Sequence, residues 1–374
     1  MKVKKTLPML FLFAFLAVFI YPPACFSAGD PAGQIKNDAA VIEKVMHFAE
    51  GLAGIYIKGE WGFIDAAGKL VIEPLFHEVL NFQNNYAAAR IEKKWGFIDK
   101  KGRFIINPQF DEARNFSEGL APVRKGNLWG CTDEKGNLVL DYSFEDLKAF
   151  NGGLAPAKRT GKWGFIDKKG TFKIARSYLD AGDFSDKLAP VKNVENQWGY
   201  IDPKGRFVIE AQFDAAKSFS GNLAAVMDDT KWGFINRKGK FVINPMYDNA
   251  RSFSGKLAAV KSQGTWGYID PKGAFAISPA YSNASDFSGE GIALVEKDGE
   301  SFYIKTSGER ALGVSANAKK SLTSKSSSPK PSTQESSAEA RWSPRIADEE
   351  NIAPHVRSAA PDDRWVPAIL DDAN

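Results

Sequence analysis

The dipeptide Trp-Gly recurs at Trp61-Gly62, Trp95-Gly96, Trp129-Gly130, Trp163-Gly164, Trp198-Gly199, Trp232-Gly233 and Trp266-Gly267. The intervals are 34 residues, except for one of 35 between Trp163 and Trp198. Seven of the nine tryptophans thus occupy one slot of one unit, and a period of this size marks a repeat architecture. Other slots keep the register. An aromatic residue stands fifteen residues after each Trp (Phe76, Phe110, Phe144, Tyr178, Phe213, Tyr247, Tyr281), and a Phe follows six residues later (Phe82, Phe116, Phe150, Phe184, Phe219, Phe253, Phe287). The one extra residue lies within 193–197, between two apolar runs, where it lengthens a loop without disturbing the packing register. An eighth, degenerate unit runs from Leu294-Val295 through Ser301-Phe302-Tyr303-Ile304-Lys305 to Gly308. Counted from the start of the first unit, eight units cover residues 51–314.

Each unit reads as three strands. Its apolar runs, such as Leu223-Ala224-Ala225-Val226 and Phe241-Val242-Ile243, are too short for helices and rich in β-formers. Asp-x-x-Gly between the second and third runs (Asp65–Gly68, Asp99–Gly102, Asp167–Gly170, Asp202–Gly205, Asp270–Gly273) suits a type I turn closed by a glycine at positive φ. An antiparallel meander follows. Alternation along Trp163-Gly164-Phe165-Ile166 puts Trp and Phe on one face and Gly and Ile on the other. Both faces then need cover, which only stacked neighbours supply. The Gly after each Trp is expected to admit close approach from the adjoining unit. The fold class is all-β: a tandem array of eight three-stranded units. Thirty-four residues fall short of the about 40–45 of four-stranded propeller blades, so an open superhelical array is preferred over a closed β-propeller.

The flanks differ from the repeats. Residues 1–28 form a secretory signal, with Lys2, Lys4 and Lys5 ahead of the uncharged apolar stretch 10–20. Cleavage is expected after Ala28 or Ser27, and export leaves periplasm, cell surface or medium open. Lipid anchoring through Cys25 is disfavoured because Pro22 and Pro23 stand where an aliphatic and a small residue would precede a lipidated Cys. Loss of the three lysines, with no acid, lowers the formal charge from +4 to +1, and Cys131 becomes the single thiol, so no internal disulfide is expected. Residues 29–50 read as a linker and a short amphipathic capping helix, with Ala39, Val41, Ile42, Val45, Met46 and Ala49 in near-helical spacing after Asn37-Asp38. Residues 315–374 are low in complexity and expected to be disordered, with two Arg-Trp-x-Pro boxes whose Trp342 and Trp365 are candidate partner anchors.

The motif Trp-Gly-[Phe/Tyr]-Ile-Asp-x-x-Gly, continued by Phe-[Val/Ile]-Ile-Asn-Pro at a 34-residue period, resembles the WG-repeat (KWG) family. The resemblance implies a bacterial β-rich tandem repeat and carries no catalytic residue to transfer. Departures fall in the third unit, where Cys131 and Thr132 replace Phe and Ile, and in the eighth, which lacks Trp-Gly. Looser packing is expected at both.

Catalytic signatures are missing: no HExxH, CxxC, GxSxG or P-loop occurs. His47, His77 and His355 read as ordinary polar residues, and the turn aspartates with Asn236 as turn formers rather than a calcium row. No catalytic residue, cofactor or metal is assigned, and the chain is expected to be no enzyme. The lysine pairs Lys100-Lys101 and Lys168-Lys169 suit solvated hairpin tips rather than nucleic acid. The Trp-Gly positions are assigned to the core. The competing reading makes the Trp row a ladder of sugar-stacking rings. The expected role is an exported, monomeric, non-enzymatic scaffold for a protein partner; the alternative is an envelope glycan or peptidoglycan binder. Neither nucleic acid nor a membrane span in the mature chain is expected.

Overall fold

The computed structural model describes residues 42–317; the expected export signal, Cys25, His355, Trp342 and Trp365 lie outside them. The described chain is all strand and turn, arranged as eight four-stranded antiparallel sheets in chain order. The first contains β1 (Lys44–Val45), β2 (Leu52–Ile57), β3 (Glu60–Asp65) and β4 (Leu70–Phe76). The others span 78–110, 112–144, 146–178, 180–213, 215–247, 249–281 and 283–317; they are numbered here as blades 1 to 8.

The three expected strands are present, and a fourth joins them from the preceding unit. Only His77 separates Phe76, the end of β4, from the two-residue strand Glu78–Val79, which pairs with Arg90 and Ala89 in blade 2. Each sequence unit therefore hands its last segment to the next blade. The unit stays short because this strand needs only two residues and one connecting residue. Blade 1 takes its two-residue strand from the segment read as a capping helix: Lys44 pairs with Tyr56 and Val45 with Ile55. The helix reading is thus corrected over residues 42–50. Edge pairing to β2 outweighs a weak helical periodicity.

The ring closes. At successive junctions a third-strand aromatic packs on the slot Phe of the next blade: Phe63–Phe82, Phe97–Phe116, Phe165–Phe184, Tyr200–Phe219, Phe234–Phe253 and Tyr268–Phe287, with centroids 4.6–5.0 Å apart. Tyr303 of blade 8 makes the same contact with Phe48 of blade 1 at 4.9 Å. Its hydroxyl donates to the Met46 carbonyl at 2.6 Å, as Tyr200 does to Lys217 and Tyr268 to Ser285 at 2.8 Å. Phe48, Ile55 and Ile64 share one core with Leu294 and Tyr303. The expected open array is therefore overturned: the blades form an eight-bladed β-propeller. Closure buries both faces of every sheet and leaves no terminal repeat to be capped.

The core lies between blades. Trp61 and Phe63 of blade 1 pack with Ala87, Ala89 and Ile98 of blade 2, which is the two-faced burial that strand alternation demands. Two glycines divide the close approaches differently from expectation. A Cβ on Gly62 would meet the Ile72 carbonyl oxygen of its own blade at 2.4 Å, because β4 bulges there between the pairs Trp61–Phe76 and Phe63–Ile72. The adjoining blade is met by the turn glycine instead: at Gly102 (φ +78°) a Cβ would lie 2.8 Å from Ile72 of blade 1. The turn itself is as read. Gly102 N–H donates to the Asp99 carbonyl at 2.9 Å, and the Asp99 carboxylate accepts from the Lys101 and Arg103 amides at 2.9 and 3.0 Å.

In blade 3, Cys131 takes the aromatic slot and is fully buried. Burial pushes its thiol up to about 12. Thr132 is also fully buried, its hydroxyl donating to the Asn137 carbonyl at 3.1 Å. Phe150 opposite has no exposed surface, so this junction loses its aromatic pair and stays enclosed. In blade 8, Ser301 holds the Trp position and Phe302 the Gly position, opposite Glu296 and Val295. The outer strand is re-registered there, pairing Phe302 with Ser315, and the Phe302 ring packs on Tyr281 at 6.4 Å.

Candidate axial binding rim

The segment after each two-residue strand comes next to its equivalents in neighbouring blades. Backbone carbonyls of the slot Phe accept from the preceding blade: Asn84 Nδ2 reaches Phe116 O, and the hydroxyls of Ser117, Ser220 and Ser254 reach Phe150, Phe253 and Phe287. One residue earlier, the Asn81 amide meets the His47 ring at 2.7 Å, and Ser218 Oγ donates to the Asp183 carbonyl at 3.0 Å. Electrostatic influence extends two blades here: Asp183 of blade 5 feels Lys148 of blade 4 and Arg114 of blade 3, and His47 of blade 1 feels Arg251 of blade 7. Equivalent residues this close identify the short-strand edge as the axial edge of the ring.

Two slots line this rim, and the eight blades fill them differently. The first holds Met46, Leu80, Arg114, Lys148, Gly182, Lys217, Arg251 and Ser285; the second holds His47, Asn81, Asn115, Ala149, Asp183, Ser218, Ser252 and Asp286. His47 and Asp286 are exposed, yet desolvation is the largest influence on each. It lowers the histidine, with Arg251 adding to the effect, and raises the aspartate, with Arg251 and Lys217 opposing. Groups that touch water while hemmed in by protein belong to the wall of a recess. Asp183 is raised in the same way, with Lys148 and Arg114 opposing.

Tryptophan rings form the floor behind this rim. Arg114, Lys148, Lys217 and Arg251 lie over Trp129, Trp163, Trp232 and Trp266, 4.2–5.3 Å from the ring centroids. Arg114 also donates to the Leu147 carbonyl at 2.7 Å, and Arg251 to the Ala284 carbonyl at 2.8 Å, each in the next blade. Trp61, Trp95, Trp129, Trp163, Trp232 and Trp266 retain only 5–9% exposure, whereas Trp198 is half-buried. Buried rings, most of them capped from the rim, leave no row of open faces, so the sugar-ladder reading loses its geometric premise.

The lysines of the hairpin tips tie blades together. Lys100 of blade 2 reaches the Glu50 carbonyl at 3.1 Å and its carboxylate at 3.2 Å in blade 1; Lys168 repeats this on Glu118 at 2.8 and 3.2 Å. Sequence reasoning missed the rim because it tracked what repeats. The signal was available: Phe48 precedes Trp61 by 13 residues, as Phe82 precedes Trp95, and would have placed His47 on the ring.

Fold and rim define an eight-bladed β-propeller, seven of whose blades carry one Trp-Gly unit. The profile of the WG containing repeat matches seven times in tandem, at residues 61–95, 95–129, 129–163, 163–196, 198–232, 232–266 and 266–300, and the chain belongs to that family. Among curated proteins no sequence relative is found. Among solved structures, a eukaryotic initiation factor is similar over 72% of this chain and 86% of that one, at 10% identity and TM-score 0.50. The computationally designed protein Ika8 aligns over 71% and 96%, at 13% identity and TM-score 0.49. BamB from Moraxella catarrhalis aligns over 71% and 94%, at 12% identity and TM-score 0.44. At such identity, the likeness to the initiation factor concerns the fold alone.

Proposed function

We propose that this protein is an exported, monomeric, non-enzymatic scaffold that holds a protein partner at its axial rim. One observation carries the reading: the slots that build the junctions repeat from blade to blade, while the two axial slots change identity around the ring. Packing dictates the former. Equivalent part-exposed positions carry Arg, Lys, Asp, His, Asn and Ser, more variety than ring capping and blade-to-blade bonds require, and this supports recognition of a shaped, charged partner. A ring of charged and amide groups over aromatic floors also has the composition of a specific protein contact. Export rests on residues 1–28 alone, and N-terminal sequencing of the secreted product would locate the cleavage.

Photo-crosslinking on the full chain in its own compartment tests the scaffold. A crosslinker at Ser252, on the rim, should trap a discrete protein partner, whereas one at Val242 on the exposed side of an outer strand should not. Trapping from Val242 alone, or from neither position, would overturn the axial reading.

A further inference from the structure

The hairpin joining the second and third strands of each blade ends in two residues that face each other across the ladder. Blades 6 and 8 set opposite charges there, Asp228 with Lys231 and Lys297 with Glu300. Blades 1, 2 and 3 set one charge against an apolar residue, as in Ile91 with Lys94. Blade 7 sets Ser262 against Thr265, and the longer hairpin of blade 5 ends on Lys192 and Trp198. Blade 4 sets two cations, Arg159 and Lys162. Like charges directly opposite one another destabilise a sheet, and this blade adds a third. Arg176, exposed on the outer strand, lies over the Phe172 ring 5.1 Å from its centroid, and Arg159 lies over the same ring at 5.8 Å. Arg159 is held from blade 3, donating to the Ser143 carbonyl at 3.2 Å and its hydroxyl at 2.6 Å. Arg176 donates to Thr160 Oγ1 at 3.4 Å.

The acids that neutralise such groups elsewhere are absent from this corner. Lys94 and Lys231, the counterparts of Lys162, pair with Asp111 at 2.5 Å and Asp248 at 2.6 Å; Leu179 stands in the place of those aspartates. On the outer strand, Ala175 stands where blades 1, 3 and 5 carry Glu73, Asp141 and Glu210. Among the described residues no acid forms an ion pair with Arg159, Lys162 or Arg176. Glu145, which reaches the hairpin from the preceding connector, accepts from the Gly161 amide at 3.0 Å. Over 146–178 there are eight basic and two acidic residues, against four and five in blade 3 and four and six in blade 5. Both acids of blade 4 are engaged, Asp146 with Arg114 at 2.9 Å and Asp167 with Lys173 at 3.1 Å.

We propose that this corner of blade 4 docks an acidic segment of a partner protein, whose Asp or Glu carboxylates meet Arg159, Lys162 and Arg176. The corner belongs to the outer strand and its hairpin, apart from the axial edge. It adds a second contact to the scaffold reading and rests on that reading for the protein source. Protecting a sheet edge calls for one charge, which Lys173 supplies; it does not call for two cations opposite one another and a third on the same ring. Carboxylates from outside take the place of the aspartates that Leu179 and Ala175 displace, and they use the guanidinium donors that Ser143 and Thr160 leave open. The size of the patch favours a short segment. Acid is in excess in both flanking blades, so a polyanion laid across several blades meets repulsion on either side.

The probe is a fluorescein-labelled hexaglutamate peptide, with hexaglutamine as control, titrated with the full chain and read by fluorescence anisotropy. Saturable binding of hexaglutamate that weakens with added salt is expected. Lys162→Glu recreates the opposite-charge pairing of blade 8, and Leu179→Asp restores the acid of blades 2 and 6. Each should weaken binding about tenfold or more, which corresponds to about 1.4 kcal/mol, and either serves if the other does not fold. Lys272→Glu makes the same charge change as Lys162→Glu on an exposed turn of blade 7 and should leave binding unchanged. No saturable binding, equal binding of hexaglutamine, an equal loss in Lys272→Glu, or unchanged binding in folded Lys162→Glu or Leu179→Asp would overturn the corner. Tighter binding of dodecathymidylate than of hexaglutamate would overturn the assignment to a protein segment. A protein trapped from Ser252 while the peptide stays unbound would sink the corner and keep the scaffold. Binding of the peptide with no protein trapped from Ser252 would keep the corner and sink the axial reading.

Discussion

Blades 3 and 5 carry the same tryptophan, Trp129 and Trp198, each paired across the sheet with the outer-strand aromatic, Phe144 or Phe213. In blade 3 Arg114 covers the ring at 4.2 Å and reaches into blade 4. In blade 5 Gly182 covers nothing, and the ring meets solvent. Behind the ring the two blades agree: the Trp-Gly glycine, the bulge and the Asp turn are all in place. The sheet interior is therefore set by close packing and tolerates little. The rim is set by what each blade presents to the axis.

The largest test of this contrast is truncation of the rings. Trp129→Ala should cost about 3–5 kcal/mol by thermal unfolding, and Trp198→Ala a smaller loss because its ring is part-exposed. Equal losses would mean that the ring of blade 5 is as deeply packed as its counterpart. Next come the glycines, where the blades should not differ. A Cβ would meet Leu140 O at 2.4 Å from Gly130 and Ala211 N at 2.6 Å from Gly199. Each Gly→Ala variant should thus lose about 1–3 kcal/mol, and a neutral result in either blade would refute the bulge argument.

Closure gives a third comparison. Tyr303→Phe at the closing junction and Tyr268→Phe at an internal one each remove one hydroxyl-to-carbonyl bond, worth about 0.5–1.5 kcal/mol. If Tyr303→Phe were silent while Tyr268→Phe were costly, the ring would be open in solution. Removing the rim cation by Arg114→Ala should cost about 0.5–1 kcal/mol in denaturant titrations; a loss as large as that of Trp129→Ala would make the rim part of the core.

Acid supplies the smallest effect. Asp133 of blade 3 is held below the usual carboxylate range first by the Asn137 side chain, and Asp202 of blade 5 first by the Arg206 guanidinium; backbone amides assist in both. A depressed folded-state pKa contributes stability that is complete above the unfolded value, about 3.9. That stability disappears as pH falls through the lower folded value. Melting temperature should thus decline slightly faster below about pH 4 in the native chain than in Asp133→Asn or Asp202→Asn. Asn236 already serves as the neutral version: its Oδ1 accepts from the Lys238 and Lys240 amides at 2.9 and 3.2 Å. Identical acid profiles would show that these turn carboxylates carry no linkage.

Much of a blade was legible because its determinants are local. Asp99 and Gly102 lie three residues apart and close their turn by themselves. The alternation of Trp163, Gly164, Phe165 and Ile166 already assigns two buried faces. The fourth strand was hidden because two residues carry no periodicity, and because Glu78–Val79 belongs in sequence to one unit and in space to the next. The segment 42–50 was misread for the same reason: its apolar residues have helical spacing, while their partners Tyr56 and Ile55 can be named only once an edge exists to receive them. The rim was illegible because it is defined by difference among blades brought around an axis. Gly182 means nothing until Trp198 is seen behind it.

The sequence by itself determined the unit, its strands and turns, and the slots that stack, since these depend on residues within about one period of each other. Tertiary structure decided three things. It closed the array, because closure depends on rotation summed over eight junctions, and only the last brings Tyr303 to Met46, 257 residues apart. It reassigned the glycines, because whether a missing Cβ serves its own bulge or the next blade is a matter of ångströms between backbones. And it turned a scattering of basic and acidic residues into one wall, because Lys148 and Asp183 influence each other only when their blades stand side by side.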